Sequence, residues 1–299
     1  MRGNNSSVAD RVIAVNKGVQ SLRRTMATIG LFTGIYALLI RPRTDKHEEM
    51  EPLLKVDYAH RGFHDAAAGI PENSLAAFKR ALDNGFGMEL DVHLTKDGHL
   101  AVVHDSDLTR VTGQSGDVES LTMAELKQYR LGGTDEQIPE FTEVLNLVDG
   151  KAPLVVEIKV ANGNYQEVTA AACRILDEYE GLFCVESFDP RSIAWLRKNR
   201  PDYIRGQLLT YLRKNGETDY SPALDFALRN LLTNCWTRPD FIAYHIAERN
   251  NFSLRRCRQL YQVCQFDWTV RSPEDYKMVK RDGSIPIFEG FDPREIDLS

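Results

Sequence analysis

Apolar and polar residues alternate strictly over 88–94. Met88, Leu90 and Val92 fall on one side and Glu89, Asp91 and His93 on the other, the period-two pattern of a strand with one face packed. Short apolar runs recur at 56–59, 152–158, 182–185, 203–208, 241–244, 263–270 and 285–288, and each reads as a strand. A further run at 100–103 returns after the tight turn Lys96-Asp97-Gly98 and ends at His104. Helical spacing predicts helices between these runs. The first covers 74–84, with Leu75, Phe78 and Leu82 on one face, Asn73 as N-cap and Gly85-Phe86-Gly87 as terminator. Others follow at 141–148, 165–179, 190–199, 222–232, 254–261 and 273–280. The alternation breaks over 106–139, where Thr112-Gly113 and Ser115-Gly116 mark turns and Thr122 with Glu125 forms a capping-box pattern for a short helix over 122–129. Eight strands with intervening helices and a small insertion after the second predict an α/β fold, a closed (β/α)8 TIM barrel. An open doubly wound sheet is the runner-up. It calls for a Gly-rich phosphate loop after the first strand, where His60-Arg61-Gly62 stands instead. The chain carries no internal repeat and no low-complexity tract.

The barrel reading places active-site chemistry at the C-terminal ends of the strands. Glu89 and Asp91 point the same way from one strand, and Glu157 ends the next barrel strand. Three carboxylates in a packed interior call for a cation, and an all-oxygen set suits Ca²⁺ or Mg²⁺ better than Zn²⁺. For Glu157 alone, a plain salt bridge to Lys159 competes with that reading. His60 and His104 end neighbouring strands, and imidazoles there suit proton transfer near neutral pH. Arg61 and Lys159 are candidate phosphate holders, or else partners of the carboxylates. Trp268 is either a substrate platform or a core aromatic. Gln207, His245 and Glu289 also end strands and are candidate pocket residues, whereas His64, His93 and His99 read as exposed or supporting.

The pieces in order are His60-Arg61-Gly62, Glu72-Asn73-Ser74, Glu89-Leu90-Asp91, Lys96-Asp97-Gly98, His104-Asp105, Leu108-Thr109-Arg110 with Gly113, Glu157-Ile158-Lys159, Ser187-Phe188-Asp189 and Trp268-Thr269-Val270. Over roughly 56–291 this series resembles the glycerophosphodiester phosphodiesterase family. The resemblance implies metal-dependent hydrolysis of glycerophosphodiesters to glycerol 3-phosphate and an alcohol. It implies His60 and His104 as the acid–base pair, Glu89, Asp91 and Glu157 as ligands of Ca²⁺ or Mg²⁺, and Arg61, Lys159 and Trp268 as substrate contacts. Val111-Thr112 stands where the family commonly has Thr-Thr, and Arg271 where it often has Asn; the second departure bears on head-group preference. Attack by water would release glycerol 3-phosphate directly, and attack by a neighbouring substrate hydroxyl would give a cyclic phosphate.

Charge is uneven along the chain. Residues 1–43 hold Arg2, Arg11, Lys17, Arg23, Arg24, Arg41 and Arg43 against Asp10 alone, while the whole chain carries −6. The body is therefore acidic, which speaks against broad nucleic-acid binding. Within the basic segment, 25–40 is apolar and uncharged but shorter than the ~20 residues of a spanning helix. It reads as a short membrane anchor, with a cleaved signal peptide or a helix lying on the barrel or in the interface as alternatives. Residues 1–20 read as a poorly ordered polar tail and 41–52 as linker, giving a basic N-terminal unit over 1–48 and a barrel over 49–299. The five cysteines are odd in number and form no Cys-x-x-Cys pair, so free buried thiols and a reducing, cytoplasmic setting for the barrel are expected. A phospholipase of C or D type acting on lysolipids or phospholipids at the membrane is the second functional reading, and a lipid-binding barrel without catalysis the third.

Overall fold

The computed structural model describes residues 8–211 and 220–298. Its strands are β1 (Tyr58–Ala59), β2 (Gly87–Leu94), β3 (Leu100–Val102), β4 (Leu154–Ile158), β5 (Phe183–Ser187), β6 (Arg205–Leu209), β7 (Phe241–His245), β8 (Cys264–Val270) and β9 (Ile285–Phe288). All pair in parallel around a ring except β3, which folds back antiparallel on β2, and the β1–β2 pair closes the barrel. The TIM barrel expected from the alternation is therefore present. The returning run at 100–103 stands outside the eight closing strands.

Register decides what the barrel interior holds. Asp91 on β2 is the partner of Glu157 on β4, and Glu157 is the partner of Glu186 on β5. Side chains at matched positions of parallel strands point to the same side, so these carboxylates form one row inside the barrel. The alternate residues Met88, Leu90 and Val92 pack outward with Leu154, Val156 and Ile158 beneath the helices. Deeper in the ring lies an apolar floor of Tyr58, Val155, Phe241, Phe266 and Ile287, plugged by Met50 and Leu53. The insertion builds a small core of its own from Val103, Leu108, Val118, Leu126 and Ile138. Its helix Met123–Leu126 starts with the expected Thr122–Glu125 capping box.

Several local expectations change. Ser74, not Asn73, caps the helix Leu75–Asp83, accepting from the Ala77 N–H. Asn73 adopts φ of 52° and is turned to another task described below. All five cysteines are free. Cys173, Cys184 and Cys257 are buried, whereas Cys235 is exposed.

The N-terminal segment is one long helix, α1 (Val8–Leu39), rather than a loose tail followed by a short apolar stretch; residues 1–7 lie outside the described part. Among the described residues no helix is long and apolar enough to cross a membrane. Among the described side chains, the C-terminal end of α1 meets the barrel. The Tyr36 hydroxyl bonds Ser253 Oγ at 2.8 Å, and the Ala37 carbonyl accepts from the Tyr261 hydroxyl at 2.7 Å. Ile40 beyond it is fully buried. The charged stretch after it does more than connect. Arg43 ion-pairs with Asp240 and donates to the Pro201 and Tyr203 carbonyls. Asp240 is 3% exposed and also accepts from the Arg205 N–H.

Removing Arg43 would take from this buried carboxylate its ion-pair partner. Arg43→Ala is expected to cost about 3–5 kcal/mol of stability, read as a lowered urea midpoint. An unchanged midpoint would show that water replaces the guanidinium without loss.

Candidate active site

The first site residues follow β1. The His60 N–H still donates to the Phe288 carbonyl of β9, after which the chain turns sharply at Arg61 (φ 53°) and Gly62 (φ 79°). A Cβ on Gly62 would sit 2.9 Å from the Ala77 Cβ, so glycine alone permits both the turn and the close helix. The turn aims the Arg61 N–H at Glu89 Oε2 (2.9 Å) and its guanidinium at Glu72 (2.9 Å) and Asp91 (3.5 Å).

Glu89, Asp91 and Glu157 each bring an oxygen to one point, all within 4.8 Å of one another, and all three are buried. Lys159 bridges two of them, 2.9 Å from Asp91 Oδ1 and 2.7 Å from Glu157 Oε1. Asn73 donates to Asp91 Oδ2 at 2.8 Å, which accounts for its left-handed backbone. The burial that removes these carboxylates from water, together with their mutual repulsion, lifts Glu89 well above the ordinary range and Glu157 to about 7. Asp91 goes the other way: burial pushes it up, but Lys159 and the neighbouring cations hold it well below. A shared buried carboxylate set made of oxygen alone fits a hard divalent cation.

Both histidines are oriented by carboxylates. His60 Nδ1 bonds Glu289 Oε2 at 2.7 Å, and His104 Nδ1 bonds Asp105 Oδ1 at 2.6 Å. A carboxylate only accepts, so each Nδ1 carries a proton and each Nε2 lone pair is free for proton exchange. His60 Nε2 lies 3.9 Å from Glu89. Burial lowers His60 to about 4 against the pull of Glu289, and burial with the Lys159 charge lowers His104.

Support for His104 comes from the insertion. Arg110 ion-pairs with Asp105 and bonds Glu72 at 2.7 and 3.0 Å, and Glu72 in turn holds Arg61. An unbroken ionic chain therefore joins one histidine to the turn that bears the other. His93, expected only to support, donates from Nε2 to the His104 carbonyl at 3.0 Å and meets Glu119 at 2.6 Å.

A cavity of about 850 Å³ opens over the strand ends and is lined by His60, Arg61, His104, Glu157, Lys159 and Trp268. Phe188 and His245 also line it, packed edge-on against the Trp268 ring at 5.5 and 5.0 Å. Glu89 lines a smaller chamber behind it, and Asp91 is fully enclosed. All eight residues proposed from the sequence thus converge on one end of the barrel. Glu289 and His245 reach it too, whereas Gln207 is buried against the Ser187 and Phe188 carbonyls. His99 is exposed and pairs with Glu140.

The model of the glycerophosphoryl diester phosphodiesterase family matches residues 60–289. The chain belongs to this family. It is 38% identical over 160 residues to a glycerophosphodiester phosphodiesterase of Caldanaerobacter subterraneus subsp. tengcongensis, a match covering 50% of this chain and 65% of that one. It is 32% identical over 151 residues to a lysophospholipase D of Homo sapiens, covering 46% and 47%. The chain thus spans just under two thirds of the first of these relatives and about half of the second. Among solved structures, a glycerophosphodiester phosphodiesterase of Thermotoga maritima aligns with a TM-score of 0.60 at 26% identity, covering 80% of this chain and 96% of that one. A phosphodiesterase of Oleispira antarctica in complex with sn-glycerol-3-phosphate shares the fold at a TM-score of 0.65 and 22% identity, covering 80% and 94%.

For this family member, sequence reading named Glu72, Asn73, Asp105 and Arg110 within the family's pieces but gave them no part in the site, and it read Glu186 only as a strand end. Asp105 was within reach, being adjacent to His104. Glu72 and Arg110 interact across 38 residues, a pairing that only folding reveals.

Protons and a divalent cation would compete for the same carboxylates. Because Glu157 is raised to about 7 in the metal-free protein, affinity for Mg²⁺ or Ca²⁺ should fall about tenfold per unit as pH drops below 7, with proton release on binding. Calorimetry in two buffers of different ionisation enthalpy measures both. Constant affinity from pH 5.5 to 8 would contradict the shared site.

Proposed function

We propose that the protein hydrolyses glycerophosphodiesters to glycerol 3-phosphate and an alcohol with the help of a divalent cation, Ca²⁺ or Mg²⁺. The observation that carries this reading is the pair of carboxylate-oriented histidines opening on the cavity that also meets the buried carboxylate triad. Glu89, Asp91 and Glu157 would hold the cation, which supplies charge neutralisation for a phosphodiester as it reacts. Arg61 and Lys159 line the same cavity and face the phosphate with fixed positive charge. One imidazole takes the proton of the attacking water and the other delivers a proton to the leaving alkoxide. An anionic phosphate beside them raises the proton affinity that burial has lowered. Trp268 offers a flat apolar wall to the glycerol or alcohol part. Arg271 sits at the rim, 3.1 Å from the Glu289 oxygen that orients His60, so this chain's departure from the family pattern lies where a head group would enter.

A chelator should abolish turnover of glycerophosphocholine or glycerophosphoglycerol, and added Mg²⁺ or Ca²⁺ should restore it. His60→Ala and His104→Ala should each lower kcat by about 10²-fold or more. The double variant should be little worse than either single one, since the two act as a unit. Full activity in excess chelator would remove the cation from the mechanism.

One observation favours a second reading, an enzyme acting on lysolipids or phospholipids at a membrane surface. Along α1, Met26, Ile29, Leu31, Phe32, Ile35 and Leu38 are all exposed, and no charge occurs between Arg24 and Arg41. A helix apolar on several sides, flanked by arginines, suits the boundary between head groups and acyl chains, and the arginines suit anionic lipid. The unpaired cysteines support a reducing, cytoplasmic setting for the barrel. On this reading, α1 serves attachment, and the barrel, with residues 40–48 packed on it, the chemistry. The full chain should sediment with anionic vesicles, and a chain begun at Tyr36, which keeps Ile40 and Arg43, should stay in solution with unchanged turnover of soluble glycerophosphodiesters. Equal sedimentation of both would end the attachment reading. Turnover of lysolipid but not of glycerophosphocholine would select the second substrate class.

A further inference from the structure

Glu186 is the one member of the interior carboxylate row that no partner holds. It is 1% exposed, and its Oε2 has no hydrogen-bond partner. No ion pair reaches it among the described residues, while Lys159 and Arg61 are committed to Asp91, Glu157 and Glu72. Buried polar atoms are rarely left so, and a buried carboxylate least of all. The side chain lines a small chamber, about 30 Å³, together with His60, Glu89, His104 and Glu157. That volume has room for a water molecule. Glu186 stands one strand beyond Glu157 in register and outside the set whose oxygens converge within 4.8 Å. It is therefore placed to act at one remove from the point where the three oxygens meet.

We propose that Glu186 is a fourth carboxylate of the cation site, holding a water of the bound cation through its free oxygen. Hard cations commonly keep part of their water shell, and outer partners of that shell govern affinity. The proposal rests on Glu89, Asp91 and Glu157 being the cation's ligands.

The test uses the purified full chain, with MgCl₂ or CaCl₂ as the only ligand, by calorimetry and by metal-induced thermal shift. Glu186→Gln should weaken the cation about tenfold or more and reduce the metal-induced rise in Tm. The metal-free variant should melt no lower than the metal-free wild type, since a neutral amide replaces an uncompensated carboxylate. Glu157→Gln, as the control, should abolish binding. Cation affinity unchanged in Glu186→Gln but lost in Glu157→Gln would overturn the role of Glu186 and leave the triad standing. Unchanged affinity in both, or no binding by the wild type, would overturn the triad and the proposal together. Should Glu186→Gln fail to fold, Glu186→Asp, which keeps the charge but shortens the reach, must bind the cation more weakly for the proposal to survive.

Discussion

Four carboxylates are packed against two cations at one end of the barrel, and most of the site's organisation follows from that imbalance. Glu89, Asp91, Glu157 and Glu186 are each at most 5% exposed. Lys159 and Arg61 are the basic side chains that reach them. Buried charges are tolerated when paired and costly when not. The protein spreads its two cations thinly: Lys159 bridges two carboxylates, and Arg61 uses its backbone N–H on Glu89 and its guanidinium on Glu72 and Asp91. Asn73 gives up the ordinary helix-cap position to donate to Asp91. Even so, Glu89 and Glu157 are forced far from their ordinary protonation behaviour. Such strain is a signature of functional sites, because a fold has no structural need to collect like charges in its interior.

The histidines show the complementary arrangement. Each sits in a partly apolar setting that disfavours its charged form, and each is fixed at Nδ1 by a carboxylate that itself remains ionised. Glu289 is held at about 2, with burial outweighed by the His60 hydrogen bond and nearby basic groups, and Asp105 lies well below its usual range. The free Nε2 atoms therefore face a common space with defined tautomers. The insertion braces the partners that fix His104. Arg110, on the short helix Thr109–Thr112, ties Asp105 to Glu72, and Glu119 braces His93 beneath the His104 carbonyl. A segment that interrupts the strand–helix rhythm thus positions one half of the proton-transfer pair.

The barrel and its site were legible to different degrees, for separable reasons. Strand periodicity placed Glu89 and Asp91 on one side, because a period of two leaves no freedom once Met88, Leu90 and Val92 must be buried. The ends of strands exposed His60, Glu157 and Trp268 as candidates in the same way. Local chemistry was less decisive at Asn73 and Ser74, where both residues are good caps and only the pull of Asp91 chooses between them. The contacts of Arg110 with Glu72 and of Arg43 with Asp240 could not be read, since they join residues 38 and 197 positions apart. Glu186 was hidden for another reason. In a run of Phe183, Cys184, Val185, Glu186 and Ser187 it looks like an ordinary strand end, and only its register with Glu157 reveals the carboxylate row.

Stability and chemistry occupy opposite ends of this molecule. The floor of the ring is apolar and sealed by Met50 and Leu53, and Arg43 is anchored at the entry to β7 through Asp240. The other end holds the carboxylate row and the two cations spread over it. The segment 40–55 therefore belongs mechanically to the barrel, although its composition resembles a linker. The uncharged stretch before it is different in kind: most of its large apolar side chains contact solvent rather than the barrel, and α1 meets the barrel at its C-terminal end, where Tyr36 and Ala37 hydrogen-bond to it. A helix left uncovered in this way gains nothing for the fold from its apolar surface. The apolar surface of that helix is therefore not accounted for by the packing of the barrel.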